Sequence, residues 1–362
     1  MNEKTDLLSV LKEHEGEHHI TVIQDYPDPD AIGSAFAHQL INEKFNISLD
    51  IVFDGKISHL QNKALVNLLG LDMFSFQEEI NLDQYDGAVF IDNQGTTASS
   101  IVEALEDANV PALIVVDHHE PQDRLSPAFC DIRRVGATAT IYATYLEQGL
   151  FSLDPEKKDH ILAATALMHG ILTDTKNMIR AGEEDIQAAL YLCAFYDRDM
   201  LEQIMSQPRS KRTMEIIHVA LGNRNTVESY SIAGIGYLRS DDRDAIPQAA
   251  DFLLSEENVH TAIVYGIVKE DNDEETLIGS LRSNKLIMNI DQFIKDTIGR
   301  DESGFYYGGG KLSAGGFEIP LSFLSGEYDE DYQDQKWDVY DQQMKHKILT
   351  KIGVEEETEN KE

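Results

Sequence analysis

Acidic and histidine side chains recur directly after the apolar stretches in the first half of the chain, in a pattern that could hold metal ions. The stretches ITVI, GAVF and ALIVV each run into such residues. Open α/β sheets bind ligands at the carboxyl ends of their strands, so these side chains are expected to converge. Carboxylates packed together repel one another unless a cation neutralises them, and with imidazoles they suit manganese or another divalent ion. The residues are Asp28 and Asp30 in QDYPDPDAIGSA, Asp92 in FIDNQG, Asp117, His118 and His119 in LIVVDHHEP, and Asp174 in GILTDTKN.

The elements that must position these residues alternate between strand-like and helix-like stretches. This alternation predicts an α/β fold, with an N-terminal, mostly parallel sheet flanked by helices on both faces. Residues 155–196 have apolar positions at helical spacing, so Asp174 is expected at a helix end. A smaller C-terminal α/β domain is predicted to follow, and the active site is expected in the cleft between the two domains.

The pattern along the chain predicts four segments. Residues 1–200 are expected to form the catalytic metal-binding domain and residues 201–227 a helical interdomain connector. Residues 228–326 are expected to form the substrate-binding domain. Residues 327–362 are an acidic tail whose amphipathic helix packs on the body or on a second subunit. Its apolar positions are Trp337, Tyr340, Met344, Ile348 and Ile352.

The composition limits the partners of the protein. The chain has 362 residues, 42% of them hydrophobic, and a formal net charge of −35. This charge disfavours long duplex nucleic acid, but metal ions and local cations can hold a short nucleotide within a Debye length of ~8–10 Å. Two cysteines without metal-ligand spacing, and no signal-peptide or membrane-length apolar run, predict a cytoplasmic protein that does not bind membranes. A homodimer is left open.

Order and spacing of these motifs resemble the DHH phosphoesterases, which are named for the triplet seen here as Asp117, His118 and His119. A second block in YYGGGKLSAGGFEIPL, with Arg282 and Ser283 in GSLRSN before it, resembles the DHH-associated domain of that family. Within the family the chain is most similar to the nanoRNase and pAp phosphatase branch, which also includes enzymes that cleave linear and cyclic dinucleotides.

The resemblance implies a role for each residue of the first domain. Two divalent ions, expected to be Mn²⁺ with Mg²⁺ or Co²⁺ as alternatives, would activate water. His119 would contact the scissile phosphate or protonate the leaving oxygen, and Asp117 would orient the triplet. The implied metal ligands are Gln24 and Asp28 for the first ion, Asp30, His118 and Asp174 for the second, and Asp92 as the bridge.

In the extended loop predicted before the first helix, Asp28 and Asp30 would point the same way. His18 and His19 match none of the motifs and are interpreted as surface residues.

The resemblance also implies a substrate grip in the second domain. Bare backbone N–H groups of Gly308, Gly309 and Gly310 would form an anion-binding concavity, with Lys311 adding a cation. Arg282, with Ser283 beside it, would hold a phosphate or stack on a base.

The expected function is hydrolysis of short oligoribonucleotides, dinucleotides of the pApA type or pAp by two-metal activation of water. Two alternatives stay open. One is a polyphosphate or pyrophosphate hydrolase. The other is a nucleotide-binding sensor that lost its chemistry, because Gln24 and Lys311 stand where much of the family has histidines.

Gln24→His is expected to increase affinity for divalent ions. Glutamine offers a neutral carbonyl oxygen, whereas imidazole is the stronger ligand for transition metals. Titration of Mn²⁺ into both proteins measures the difference. Equal affinities would contradict the assignment of Gln24 to the first metal.

Overall fold

A computed structural model describes residues 6–55, 57, 60–76, 80–270, 274–285, 288–310, 313–326 and 330–354. The chain divides into two compact units, Met1–Pro208 and Arg209–Glu362. Among the described residues, no helix combines the length and apolar character needed to cross a membrane.

The first unit alternates strands with helices and then becomes helical, as its sequence pattern predicts. Its elements, in chain order, are α1 (Leu7–Glu13), β1 (His18–Val22), α2 (Pro29–Glu43), β2 (Ser48–Phe53), α3 (Leu60–Leu69), β3 (Met73–Ser75), β4 (Gly87–Ile91), α4 (Ser99–Asp107), β5 (Ala112–Asp117), β6 (Phe129–Ile132), α5 (Thr138–Glu147), α6 (Lys158–Asp174), α7 (Glu183–Leu192) and α8 (Arg198–Met205).

The six strands of the first unit form one parallel sheet in the order β3-β2-β1-β4-β5-β6. One face packs on α2, α5 and α6 and the other on α4, which explains why β4 is buried along its whole length. The predicted parallel sheet flanked by helices is therefore confirmed. The strand order reverses between β1 and β4, and a crevice for ligands forms at such a switch point.

Two glycines let α2 and α6 pack closely beside that crevice. A Cβ atom on Gly33 of α2 would lie 2.7 Å from the carbonyl oxygen of Ala166 in α6. A Cβ atom on Gly170 of α6 would lie 2.9 Å from the Cα atom of Asp30 in α2. Because both contacts are with backbone, a side chain at either position would push the two helices apart.

The second unit is a mixed sheet with helices on both faces, which confirms the predicted second α/β unit. Its elements are α9 (Lys211–Asn223), β7 (Asn225–Val227), β8 (Tyr230–Arg239), α10 (Ala245–Leu253), β9 (Thr261–Lys269), β10 (Glu275–Ser283), α11 (Ile290–Ile298), β11 (Gly308–Gly310), β12 (Ala314–Pro320) and α12 (Glu330–Ile352). The strand order is β11-β12-β10-β9-β8-β7, and β8 and β9 are the parallel neighbours in this described sheet.

Each face of the second sheet has its own core. Helices α9 and α10 cover one face, and α11 and α12 cover the other. Helix α12 packs through the apolar residues predicted in the tail and through a buried ion pair between Lys336 and Glu275 of β10. This tail helix is thus part of the second unit.

The segment 201–227, predicted as a connector, is divided between the two units. Its first residues complete α8, whose Leu201 and Ile204 are buried in the first core. Helix α9 instead packs its Ile216 and Ile217 into the second core. Each of these two helices has apolar residues on one face. Through these residues α8 packs on the first unit and α9 packs on the second.

Gly170→Ala is expected to lower the free energy of unfolding by about 1–3 kcal/mol, because the added methyl group meets the backbone of Asp30. The matched control is Gly222→Ala in α9, where a Cβ atom meets nothing within 4 Å. That change should raise stability by up to about 1 kcal/mol through helix propensity. Urea denaturation of the full chain measures both, and equal effects would contradict the proposed packing restraint.

Candidate metal centre

The acidic and histidine residues converge at the carboxyl ends of the central strands, at the reversal in strand order. Asp92 directly follows β4, and the last residue of β5 is Asp117. The first turn of α2 supplies Asp30, and Asp174 is the final residue of α6. Strand ends and helix ends therefore deliver carboxylates to one place.

Asp28 and Asp30 lie at the start of α2 and not in the extended loop that their spacing predicted. Pro29 begins the helix, as proline often does, and Asp28 is its N-cap, accepting a hydrogen bond from the Ala31 N–H at 3.0 Å. Asp30 is therefore the second residue of the helix, and it is fully buried. The local reason for the difference is the capping preference of the Asp-Pro pair.

Two backbone N–H groups at the start of α5 hold the Asp30 carboxylate. Thr138 N and Ala139 N each donate to one of its oxygens at 2.7 Å. The positive end of a helix dipole favours a negative charge at this position. The amino end of α5 thus fixes a carboxylate that belongs to α2.

Asp92 has an unusual backbone and an unused oxygen. Its φ angle is 55°, in the left-handed region that residues other than glycine rarely adopt. The Thr138 hydroxyl donates to its Oδ1 at 3.0 Å, whereas its buried Oδ2 has no hydrogen-bond partner among the described residues. A buried, unsatisfied carboxylate oxygen is costly without a cation.

His118 presents a lone pair to three carboxylates. Its Nδ1 lies 3.1 Å from the carbonyl oxygen of Val135, which can only accept, so Nδ1 carries the proton. In the neutral ring Nε2 is then unprotonated. Carboxylate oxygens surround Nε2 at 3.4 Å from Asp174, 3.5 Å from Asp92 and 3.9 Å from Asp30.

Asp117 organises the other histidine. Its Oδ1 accepts from the backbone N–H groups of His118 and His119 and from Nδ1 of the His119 ring at 2.8 Å. Its Oδ2 accepts from Gln94 Nε2 at 2.6 Å. Burial alone would raise the pKa of Asp117, but the hydrogen bonds from His119 and Gln94 outweigh it and hold this pKa below its usual value.

The two most deeply buried carboxyl groups, those of Asp30 and Asp92, instead have a raised pKa. Burial, followed by the charge of Asp28, raises the pKa of Asp30 to about 8. Burial, together with the charges of Asp30 and Asp28, raises the pKa of Asp92 well above its usual value. Without a cation, this site holds protons that ordinary carboxylates release below neutral pH.

The donor set fits divalent metal ions. The unsatisfied oxygen of Asp92 calls for a positive charge, and oxygen and imidazole donors together suit manganese-class ions. Each of two groups has donor atoms within 4.8 Å of one another. The groups are Asp30, His118 and Asp174, and Asp92, Asp117, His118 and His119.

Gln24 and Asp28 lie outside those two groups. Gln24 follows β1 and is half-buried. The Asp28 charge acts on Asp30 and Asp92, so its carboxylate lies beside the centre while it caps α2. Their assignment to a first metal ion stays a prediction.

Thr138 and Gln94 are part of the site but were not singled out from the sequence. Thr138 bonds both Asp30 and Asp92, and Gln94 bonds Asp117. Thr138 lies in the stretch VGATATI and is the first residue of α5. Gln94 lies in the same FIDNQG stretch as Asp92, but an amide side chain there gives no signal of its partner.

In the second unit, a cavity of about 410 Å³ brings together Arg282 and Gly308, as the resemblance implied. It is also lined by Arg243 and Tyr306, which the sequence analysis did not identify. The Arg282 guanidinium bonds Asp251 at 3.1 Å but is still partly exposed. The cavity therefore combines two guanidinium groups with an aromatic ring.

Ser283 does not line this cavity. Side chains alternate across a strand, so Ser283 faces the opposite side of β10 from Arg282. It is buried and shares a hydrogen bond of 2.9 Å with the Thr261 hydroxyl, and it bonds the carbonyl oxygen of His260 at 3.0 Å. The assignment of Ser283 to substrate binding is therefore corrected. Its side chain links β10 to Thr261 of β9 and to His260, the residue before that strand.

The glycine run forms strand β11 and not the predicted anion-binding concavity. It pairs with β12, and a Cβ atom on Gly308 would lie 2.2 Å from the carbonyl oxygen of Gly316. The N–H group of Gly310 already donates to Asp291 at 3.2 Å. Close strand packing accounts for these glycines, and Lys311 lies outside the described residues.

Without metal, stability is expected to fall as pH rises from about 4 to 8. The pKa of Asp30 is raised in the folded state, so the unfolded chain releases this proton first as pH increases. Each such group lowers the free energy of unfolding by up to about 1.4 kcal/mol per pH unit. Urea denaturation in EDTA should show a steeper decline for the wild type than for Asp30→Asn. Excess Mn²⁺ should remove the difference, and parallel slopes in EDTA would contradict the raised pKa.

Comparisons with known proteins agree with this geometry. An uncharacterized protein of Methanocaldococcus jannaschii is 34% identical over 334 residues, covering 91% of this chain and 63% of that protein. The cyclic-di-AMP phosphodiesterase PdeA of Listeria monocytogenes is 27% identical over 263 residues, covering 66% of this chain and 37% of that protein. The chain thus spans less than two thirds of the length of either relative.

The fold has a solved counterpart. An exopolyphosphatase-related protein of Bacteroides fragilis superposes with a TM-score of 0.64 at 16% identity, over 91% of this chain and 94% of that chain. Residues 19–171 match the DHH family, N-terminal domain, and this segment contains β1, β4, β5 and the Asp117, His118 and His119 triplet. The first unit, which gathers these residues at the switch point of its parallel sheet, therefore carries the DHH family, N-terminal domain.

Proposed function

We propose that this protein is a divalent-metal-dependent phosphoesterase that hydrolyses short oligoribonucleotides, dinucleotides of the pApA type or pAp. The observation that supports the proposal most strongly is the position of His118 Nε2, which faces the carboxylates of Asp30, Asp92 and Asp174 at 3.4–3.9 Å. A site of this composition is suited to hold cations beside a phosphate, which is itself an anion and needs neutralisation.

Bound divalent ions, with Mn²⁺ as the proposed choice, would supply charge neutralisation at phosphorus and activation of a water molecule. The proposed ligands within the two described groups are Asp30, Asp92, His118 and Asp174, with Gln24 and Asp28 added from the family pattern. The amino end of α5 keeps Asp30 oriented, and the Val135 carbonyl fixes the His118 tautomer.

His119 is the proposed proton donor to the leaving oxygen. Its side chain is 28% exposed, so substrate can reach the ring, and its Nδ1 is held by Asp117 at 2.8 Å. In the imidazolium form Nδ1–H donates to Asp117 while Nε2–H stays available for the substrate. The hydrogen bond to Asp117 fixes the direction of the ring.

The second unit supports a nucleotide as the substrate. Guanidinium groups such as Arg282 and Arg243 pair with phosphate oxygens, and a phenol ring such as that of Tyr306 can stack on a base. A cavity of about 410 Å³ has the size of a small-molecule site. A relative named as a cyclic-di-AMP phosphodiesterase supports the inclusion of dinucleotides.

The test is product analysis with the pure protein in Mn²⁺, Mg²⁺ or Co²⁺. We expect AMP from pApA and phosphate from pAp, with turnover reduced at least about 100-fold in Asp92→Ala, because several kcal/mol of charge stabilisation are lost. Asp83→Ala, which removes an exposed carboxylate elsewhere in the first unit, is the matched control and should keep its turnover.

Two further arms separate the alternatives. Arg282→Ala should raise the Michaelis constant for pApA about tenfold or more, and Arg224→Ala, which removes an arginine paired with Glu256, should not. Polyphosphate as the preferred substrate would replace the nucleotide proposal. Nucleotide binding in excess Mn²⁺ without turnover would contradict hydrolysis and favour the sensor.

A further inference from the structure

A second cluster of ligand-type side chains lies at the opposite end of β1 from the metal centre. Helix α1 ends with His14 as its C-cap, the chain turns at Gly16, and Glu17 precedes β1. His19, the second residue of β1, is fully buried, which corrects its interpretation as a surface residue. The donor atoms of His14, Glu17 and His19 all lie within 4.8 Å of one another.

We propose that His14, Glu17 and His19 form a separate binding site for a divalent ion of the zinc class. Two imidazoles and one carboxylate are a donor set that zinc, cobalt and nickel bind well, with remaining positions filled by water. The site does not depend on the proposed phosphoesterase function.

The distances match those that a bound ion imposes. Both imidazoles face the same carboxylate oxygen, with His14 Nδ1 at 2.8 Å and His19 Nε2 at 3.1 Å from Glu17 Oε2. Donors about 2.1 Å from a metal lie ~3.0 Å apart in adjacent octahedral positions and ~3.4 Å apart in tetrahedral ones. The two separations from Glu17 Oε2 are therefore close to those between ligand atoms that share one metal ion.

The His19 ring is in a state that can bind a metal. Burial, opposed by the hydrogen bond and the charge of Glu17, lowers the pKa of His19, so the neutral ring has a lone pair for a metal ion. The charges of Glu17 and Asp86 partly offset the cost of placing a cation beside this buried ring.

The simplest competing structure is a hydrogen-bonded triad, in which each neutral imidazole donates one N–H to Glu17. Both structures explain the distances, but only the metal site makes the number of bound ions depend on Glu17. An ion here would join the end of α1, the turn and β1. It would therefore stabilise the packing of Leu7, Val10 and Leu11 of α1 against the core.

The experiment counts Zn²⁺ bound per chain after equilibrium dialysis of the full-length protein. We expect Glu17→Gln and His14→Ala to bind one ion fewer than the wild type. The control is His18→Ala, which removes the neighbouring histidine that pairs with Asp50 instead of Glu17, and it should bind as many ions as the wild type. Zn²⁺ should also raise the melting temperature of the wild type more than that of Glu17→Gln.

Equal ion counts in the wild type and both cluster variants would overturn the proposal, and so would the loss of the same ion in His18→Ala. If Glu17→Gln and His14→Ala do not fold, anomalous scattering from Zn²⁺-soaked crystals of the wild type decides instead. A peak between the three side chains supports the site, and anomalous peaks confined to other places overturn it.

Discussion

Mutual repulsion among buried carboxylates is the constraint on which the first unit depends. Asp30 and Asp92 are almost completely buried, and this burial, followed by the charges around them, raises the pKa of both groups. A folded chain accepts such a cluster only when fixed dipoles and cations balance it. The amino end of α5, the Thr138 hydroxyl and the His118 ring supply the protein's share of that balance, and divalent ions are proposed to supply the rest.

The same constraint explains features of the backbone near the site. Asp92 takes a left-handed conformation directly after β4, which turns its carboxylate toward His118. Close packing at Gly33 and Gly170 brings α2 and α6 together, so that their ends can deliver Asp30 and Asp174. Strain and tight packing of this kind persist where the surrounding structure enforces them. The local backbone geometry therefore positions the charged groups of the site.

The second unit follows a different physical pattern. Its two apolar cores and the buried pair of Lys336 and Glu275 hold helices on both faces of a mixed sheet. Its cavity gathers guanidinium groups next to an aromatic ring, and its glycine run serves strand packing. The segment that the sequence singled out does hold this cavity, with Arg282 in its lining, but Ser283 does not line it.

The sequence by itself determined the parallel sheet and the second α/β unit, and it pointed to most of the acidic and histidine side chains that converge at the candidate metal centre. Apolar runs and the motifs after them are local signals, so Asp92 and the Asp117, His118 and His119 triplet could be recognised without coordinates. Only the tertiary structure decided which partners these residues meet. Thr138 is 46 positions from Asp92 and 108 from Asp30, and the sequence pattern gives no signal of pairs so distant. The burial of His19 was equally invisible, because the packing of α1 and α2 against β1, and not the polarity of the residue, removes it from water.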